Sequence, residues 1–257
     1  MKIKLRPWQE DCIKKSLSWF NKLEENKHFV INAAPGSGKT RTACVIANEL
    51  IEKGEIDRVV VIAPRKKIAQ QWANDFKLIT NRYMGKITSS DPDASDYNYD
   101  LVITWQSVGG LSEALDVLCK QFNILVICDE HHHAAQEAAW GEGANAGLSN
   151  AKYSLILTGT PIRSDGKDTV WVKLDDRGRI RYKTEGSYTL TYGQAVELDY
   201  CRPVTFHRHN ADFIVKLDSD NSITISGGNE DIESIPESLK SFYSSDQLKR
   251  SLNFYQL

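Results

Sequence analysis

Short apolar runs recur along the chain between stretches with helical spacing. Phe29-Val30-Ile31, Arg58-Val59-Val60-Val61-Ile62, Asp100-Leu101-Val102-Ile103, Ile124-Leu125-Val126-Ile127 and Ser154-Leu155-Ile156-Leu157 are near-continuous rather than alternating. That is the pattern of strands buried on both faces, as in a parallel sheet covered by helices. Between them, 40–53 puts Ala43, Ile46, Ala47 and Leu50 on one helical face, and 66–78 does the same with Ile68, Ala69, Trp72 and Phe76. A third helix is predicted over 111–120, and Gly54 is placed to stop the first. Each stripe reads as a sheet-facing surface, Trp72 included, so the alternation predicts an α/β fold.

Beyond Pro161 the texture changes. Residues 168–183 form two alternating runs around an Asp- and Gly-rich turn, which predicts a β-hairpin. A second pair of strand-like runs, Val204–Arg208 and Phe213–Val215, flanks another turn. The stretch 218–231 is mostly polar with Gly227-Gly228 and reads as a flexible boundary, and 236–257 restarts with Pro236 and scattered apolar residues. No internal repeat is evident.

With 257 residues, 41% hydrophobic and 26% charged, the composition is that of a soluble globular protein of one large or two small domains. The formal charge of -2 excludes a global basic field, so any nucleic-acid contact must be local. The charge is unevenly spread: Lys2, Lys4, Arg6, Lys14, Lys15 and Lys22 outweigh Glu10 and Asp11 near the start, while 91–100 holds Asp91, Asp93, Asp96 and Asp100 and no base. The 5 cysteines are far apart and odd in number, which suggests neither a zinc site nor a disulfide framework. No signal core and no apolar run near the ~18 residues of a membrane span is present, so a cytoplasmic location and no membrane partner are expected.

The chemistry begins at Ala33-Ala34-Pro35-Gly36-Ser37-Gly38-Lys39-Thr40, directly after one strand and before a helix, with Arg41 just inside it. A Gly-rich turn opening a helix aims backbone N–H groups and the helix dipole at phosphate oxygens. Lys39 then reaches the β/γ-phosphates and the Thr40 hydroxyl binds Mg²⁺. The general pattern wants Gly at 33, where this chain has Ala. A second signal is Asp129-Glu130 at the end of the strand 124–127, the edge at which open α/β sheets bind ligands. There Asp129 would hold Mg²⁺ and Glu130 would orient and deprotonate water. The adjacent His131, His132 and His133 cannot all point at one tetrahedral ion, so zinc is not expected.

Together these pieces resemble the superfamily-two helicases and translocases of DEAD/DEAH-box type, over residues 3 to about 205. The resemblance implies a RecA-like P-loop NTPase domain, with a mainly parallel sheet flanked by helices and a C-terminal β-hairpin extension. Leu5-Arg6-Pro7-Trp8-Gln9 resembles the family's adenine-recognition motif, which implies ATP specificity through Gln9 beside Arg6. Asp129-Glu130-His131-His132 resembles the D-E-x-H box, and Leu157-Thr158-Gly159-Thr160-Pro161 resembles motif III. His132, Thr158 and Thr160 are thereby implied to couple the nucleotide site to the nucleic-acid site. Ala63-Pro64-Arg65-Lys66-Lys67 and Ile103-Thr104-Trp105-Gln106-Ser107 resemble motifs Ia and Ic, which implies that Pro64, Arg65, Lys66, Thr104 and Trp105 hold the backbone of a single strand. The residues 159–166, 192–196 and 202–204 resemble the branch of restriction-enzyme motor subunits, which favours DNA over RNA.

On this reading 1–215 is the N-terminal RecA-like ATP-binding domain with a hairpin insertion at 168–183, 216–235 is a linker, and 236–257 starts a truncated following segment. Asp176-Arg177-Gly178-Arg179 sits at a hairpin tip, so the arginine finger is expected from a second RecA-like domain in cis, and a lone domain should be a weak ATPase and a monomer. The alternative from another class is a complete nucleotide-dependent module that clamps nucleic acid or a partner without turnover. A P-loop kinase or GTPase would make Gln9, the D-E-x-H box and Thr-Gly-Thr-Pro coincidences.

Overall fold

The computed structural model describes residues 4–22, 27–87, 98–130, 138–159, 186–203, 212–216 and 222–226. The expected hairpin at 168–183, the run 204–208 and the segment 236–257 lie outside these residues. The chain divides into two compact units, Met1–Pro203 and Val204–Leu257, so the first unit closes before the expected boundary at 215.

Among the described residues the first unit is built on seven parallel strands in the order β3-β4-β2-β5-β6-β1-β7. In chain order these are β1 (His28–Ala33), β2 (Arg58–Ala63), β3 (Met84–Ile87), β4 (Asp100–Thr104), β5 (Ile124–Cys128), β6 (Tyr153–Thr158) and β7 (Ser187–Leu190). The helices are α1 (Pro7–Phe20), α2 (Lys39–Glu52), α3 (Lys66–Thr80), α4 (Trp105–Val108), α5 (Ser112–Gln121), α6 (Ala138–Leu148) and α7 (Tyr192–Glu197).

Two buried clusters explain why the central runs are apolar at every position. Phe29, Ile31, Val59, Val61, Leu125, Ile127, Leu155 and Leu157 join Trp8, Ala43, Ile46, Leu50, Trp72 and Phe76 from α1, α2 and α3. The intervening residues Val60, Ile62, Leu101, Ile103, Val126 and Cys128 join Trp105, Leu115, Leu118 and Ala144 from α4, α5 and α6. Successive strand residues point to opposite faces, so helices on both faces demand apolar side chains throughout. The five expected strands and the helices at 40–53, 66–78 and 111–120 are all present within a residue or two.

The elements not expected are those with little apolar signal. The edge strands β3 and β7 are each four residues long and carry exposed Lys86 and Thr189. Helix α6, Ala-Ala-Trp-Gly-Glu-Gly-Ala-Asn-Ala-Gly-Leu, is rich in a residue that disfavours helices. Two of its glycines are there for contact: a Cβ on Gly143 would lie 2.6 Å from Gly109 Cα, and one on Gly147 would lie 2.9 Å from Ser112 O. Among the described residues no helix is long and apolar enough to cross a membrane.

In the second unit β8 (Asp212–Lys216) pairs antiparallel with β9 (Ser222–Ser226). Phe213–Val215 therefore pairs forward in the chain, and the boundary expected at 216–235 contains a strand. The alternating β-branched pattern Ser-Ile-Thr-Ile-Ser accounts for it.

At the far edge of the main sheet from the strand C-termini, buried Asp100 fastens three segments. Its carboxylate accepts from Arg82 Nε and Nη2 at 2.7 and 3.2 Å and from Val59 N at 2.8 Å. Burial raises the Asp100 pKa, and the Arg82 hydrogen bonds oppose that rise. Replacing Arg82 by Met leaves a buried carboxylate with one donor. Because Arg82 is itself partly exposed and the Val59 bond survives, urea unfolding should show a loss of about 2 kcal/mol, below the ~3–5 of a fully buried pair.

Candidate active site

All seven strands run the same way, so the loops after β1, β5 and β6 meet along one edge of the sheet. The loop after β1 turns into α2 through Gly36 at φ +75° and Gly38 at φ +105°. At Gly38 a Cβ would also lie 3.0 Å from Gln9 Nε2, whereas the space around Gly36 is open. Lys39, the first residue of α2, is nearly buried and donates from Nζ to Ala33 O at 2.9 Å and to Ala34 O at 3.4 Å. Burial pulls its pKa down, and the carboxylates of Glu130 and Asp129 push back. Gly159, just past β6, closes the other side: a Cβ there would stand 3.2 Å from Lys39 Nζ and from Pro35 Cδ.

The carbonyls of Pro35, Ser37 and Gly38 are held by residues distant in sequence. Arg6 Nη1 donates to Ser37 O at 2.9 Å, and its guanidinium lies 4.5 Å from the centre of the Tyr200 ring. Gln9 Nε2 donates to Gly38 O and to Thr42 Oγ1, both at 3.1 Å, while its Oε1 accepts from Arg6 N at 2.9 Å in the first turn of α1. Cys201 Sγ donates to Pro35 O at 2.9 Å. Ser37 Oγ, fully buried, has no hydrogen-bond partner among the described residues.

The acids sit at the end of β5. Asp129 is buried at 7% exposure, and the next residue, Glu130, takes a left-handed backbone at φ +46°. Asp129 Oδ2 accepts from Trp72 Nε1 at 2.8 Å, its carbonyl accepts from Trp105 Nε1 at 3.0 Å, and its N–H donates to Ile62 O at 2.9 Å. Burial raises the Asp129 pKa; the Trp72 bond opposes that, Glu130 adds to it and Lys39 opposes it. A cleft of about 800 Å³ joins the two regions and is lined by Arg6, Gln9, the 36–41 segment, Trp72, Asp129 and Glu130.

Residues 2–163 match the family described as type III restriction enzyme, res subunit. The chain belongs to that family. It is 29% identical over 204 residues to an uncharacterized protein of Mycobacterium leprae and 28% identical over 202 residues to one of Mycobacterium tuberculosis. Each alignment covers 79% of this chain and 33% of the relative, so the chain spans about a third of the length of these relatives. The mouse ATP-dependent RNA helicase DHX58 is 24% identical over 150 residues, which cover 54% of this chain and 21% of that protein. Among solved structures, the type ISP restriction-modification enzyme LlaGI in complex with a DNA substrate mimic superposes with a TM-score of 0.53 at 22% identity, covering 77% of this chain and 21% of that one. The type ISP enzyme LlaBIII bound to DNA gives 0.50 at 24%, covering 77% and 16%. These superpositions establish the fold, and with the family match they identify the N-terminal RecA-like domain of a superfamily-two helicase-type motor.

Within this restriction-subunit family the structure gathers Arg6, Gln9, Gly36, Ser37, Gly38, Lys39, Thr40, Arg41, Asp129 and Glu130 around one cleft, with Pro64 at its rim. Pro35 lies beside it, exposed, and Thr158 is buried at the end of β6. Arg65 and Lys66 are exposed at the start of α3. His132 and Thr160 lie outside the described residues. Two expectations change. Trp105 cannot meet a nucleic acid, since its ring is fully buried under α4 with its N–H spent on Asp129. The Thr104 side chain is also buried, with its hydroxyl 2.9 Å from Ser107 Oγ. Sequence reading missed Tyr200 and Cys201, which carry no motif signal, and gave Trp72 its core place without its bond to Asp129.

The two loop glycines should differ in tolerance. Gly36→Ala meets open space and carries only the left-handed backbone penalty of roughly 1–2 kcal/mol. Gly38→Ala adds displacement of the Gln9 amide, so denaturant unfolding should show the larger loss, up to about 3 kcal/mol.

Proposed function

We propose that this domain binds ATP with Mg²⁺ and, as part of a longer motor, hydrolyses it to move along DNA. The observation that carries the reading is the single cleft that joins the 36–41 turn to Asp129 and Glu130. The residues fit the nucleotide. A buried hydroxyl without a partner is uncommon, and Ser37 Oγ sits within the turn that would wrap the phosphates. A left-handed Gly38 at the mouth of α2 is the geometry that lets successive N–H groups face an anion.

In this reading the N–H groups of 36–40 take phosphate oxygens, with Arg41 at the rim of the cleft. Lys39 exchanges Ala33 O and Ala34 O for phosphate oxygens, trading one set of acceptors for a charged one. Thr40 and Asp129 would hold Mg²⁺, which would supply neutralisation of phosphate charge. Glu130 orients a water and accepts its proton, and its strained backbone holds the carboxylate at the strand edge. Gln9 braces Gly38; to read an adenine edge, its amide N–H groups would turn from Gly38 O and Thr42 Oγ1 toward the base.

On the same reading Arg65 and Lys66, exposed at the N-terminus of α3 next to Pro64, grip the phosphates of one strand, sequence-independently. DNA is favoured by the restriction-enzyme relatives, two of which were solved with DNA or a DNA mimic. His132, Thr158 and Thr160 belong to the link between the sites. A finger arginine from a second RecA-like domain in cis completes the reaction; without it the rate should be lower by roughly 10³–10⁵.

Lys39→Ala should abolish ATP binding in a titration with a fluorescent ATP analogue; tight binding by that variant would contradict the phosphate role. Glu130→Gln should keep binding while steady-state turnover of the full gene product on single-stranded DNA falls by roughly 10²–10⁴.

A further inference from the structure

Asp129 is gripped from both faces of the sheet. Trp72 reaches its carboxylate from the cluster under α1, α2 and α3, and Trp105 reaches its carbonyl from the cluster under α4, α5 and α6. Both rings are 0% exposed. Burial alone would be served as well by Phe at either position, yet both indole N–H groups are spent on the same residue. A third bond runs from Asp129 N to Ile62 O in β2.

Two of these three tethers lead to one turn, where Arg65 and Lys66 are exposed, and the third leads to the buried end of β4. Ile62 lies two residues before Pro64, Trp72 lies in the second turn of the helix that opens with Lys66, and Trp105 directly follows Thr104. The turn at 64–66 is the one that the functional reading above assigns to the nucleic-acid strand, while Trp105 holds Asp129 from the opposite face of the sheet. A close-packed ring cannot slide independently of the helix that bears it, so a shift of that turn is carried along α3 to Asp129 through the Trp72 hydrogen bond.

We propose that Trp72 is a positioning residue whose indole N–H couples occupancy of the strand-binding turn at 64–66 to the placement of Asp129. This rests on the reading of the cleft as an ATP site. Coupling of this kind is a reciprocal change in two affinities: the strand alters nucleotide binding by a factor, and the nucleotide alters strand binding by the same factor.

The test measures the Kd of the non-hydrolysable analogue AMPPNP with Mg²⁺, with and without saturating single-stranded oligo(dT), on the full gene product. In the wild type the strand should change the AMPPNP Kd by a factor of roughly 5–150. Trp72→Phe keeps an aromatic ring and loses the donor. It should reduce that factor to about 2 or less, whatever it does to the strand-free Kd. A role in packing alone would lower the thermal midpoint or weaken both affinities and leave the factor intact, and an intact factor overturns the proposal. Where a Phe variant fails to fold, 3-benzothienylalanine at the same position keeps the indole shape without its N–H, and the same outcomes apply. Absence of AMPPNP binding in the wild type would sink the ATP reading itself; binding that oligo(dT) leaves unchanged would sink only the coupling.

Discussion

A strand covered by helices on both faces has no side on which to place a polar residue, so chemistry is confined to its ends. This constraint orders the whole first unit. The interiors of β1, β2, β4, β5 and β6 are apolar on both faces, and the candidate functional residues Lys39, Asp129, Glu130 and Thr158 appear where those strands stop or just beyond. Because every strand of this sheet is parallel, those ends fall on one edge, and residues far apart in the chain share one cleft.

Confinement to an edge brings charges into partly desolvated positions. Lys39 and Asp129 are each disfavoured as ions by burial, and each is favoured by the other's charge. Neither would hold its place alone. Their positions are fixed by neutral donors and acceptors instead: two carbonyls for the lysine, an indole N–H for the acid. Such neutral anchoring leaves the charges available to a ligand of either sign, which a direct Lys39–Asp129 ion pair would not.

What was legible in the sequence follows from the same constraint. Continuous Val/Ile/Leu runs mark the doubly covered strands, so the central sheet and its helices could be read directly, as could the Gly-Lys-Thr turn whose context is strand then helix. Edge strands β3 and β7 are covered less and so lack that signature, and α6 hides its helical nature because two of its glycines serve contact with Gly109 and Ser112 rather than propensity. Trp105 was misjudged for a related reason. A Trp at a strand-to-helix turn can face solvent or core, and only the three-dimensional position of Asp129 decides between them. Cys201 touches the loop, and Tyr200 touches the Arg6 that braces it, across more than 160 residues of chain, a relation that no local pattern encodes.

These long-range contacts explain how the phosphate-type loop keeps its shape. A tight turn that offers its N–H groups to one side must direct carbonyls to the other, where each needs a donor. Here Ala33 and Ala34 are served by Lys39, Pro35 by Cys201, Ser37 by Arg6 and Gly38 by Gln9. Those donors come from the start of the unit, from its last segment and from α2 itself. The loop is thus a product of the completed fold rather than of its eight residues, and the Ala in place of Gly at position 33 is tolerated because that residue is still in β1, extended, buried and hydrogen-bonded through its carbonyl, where a side chain costs nothing.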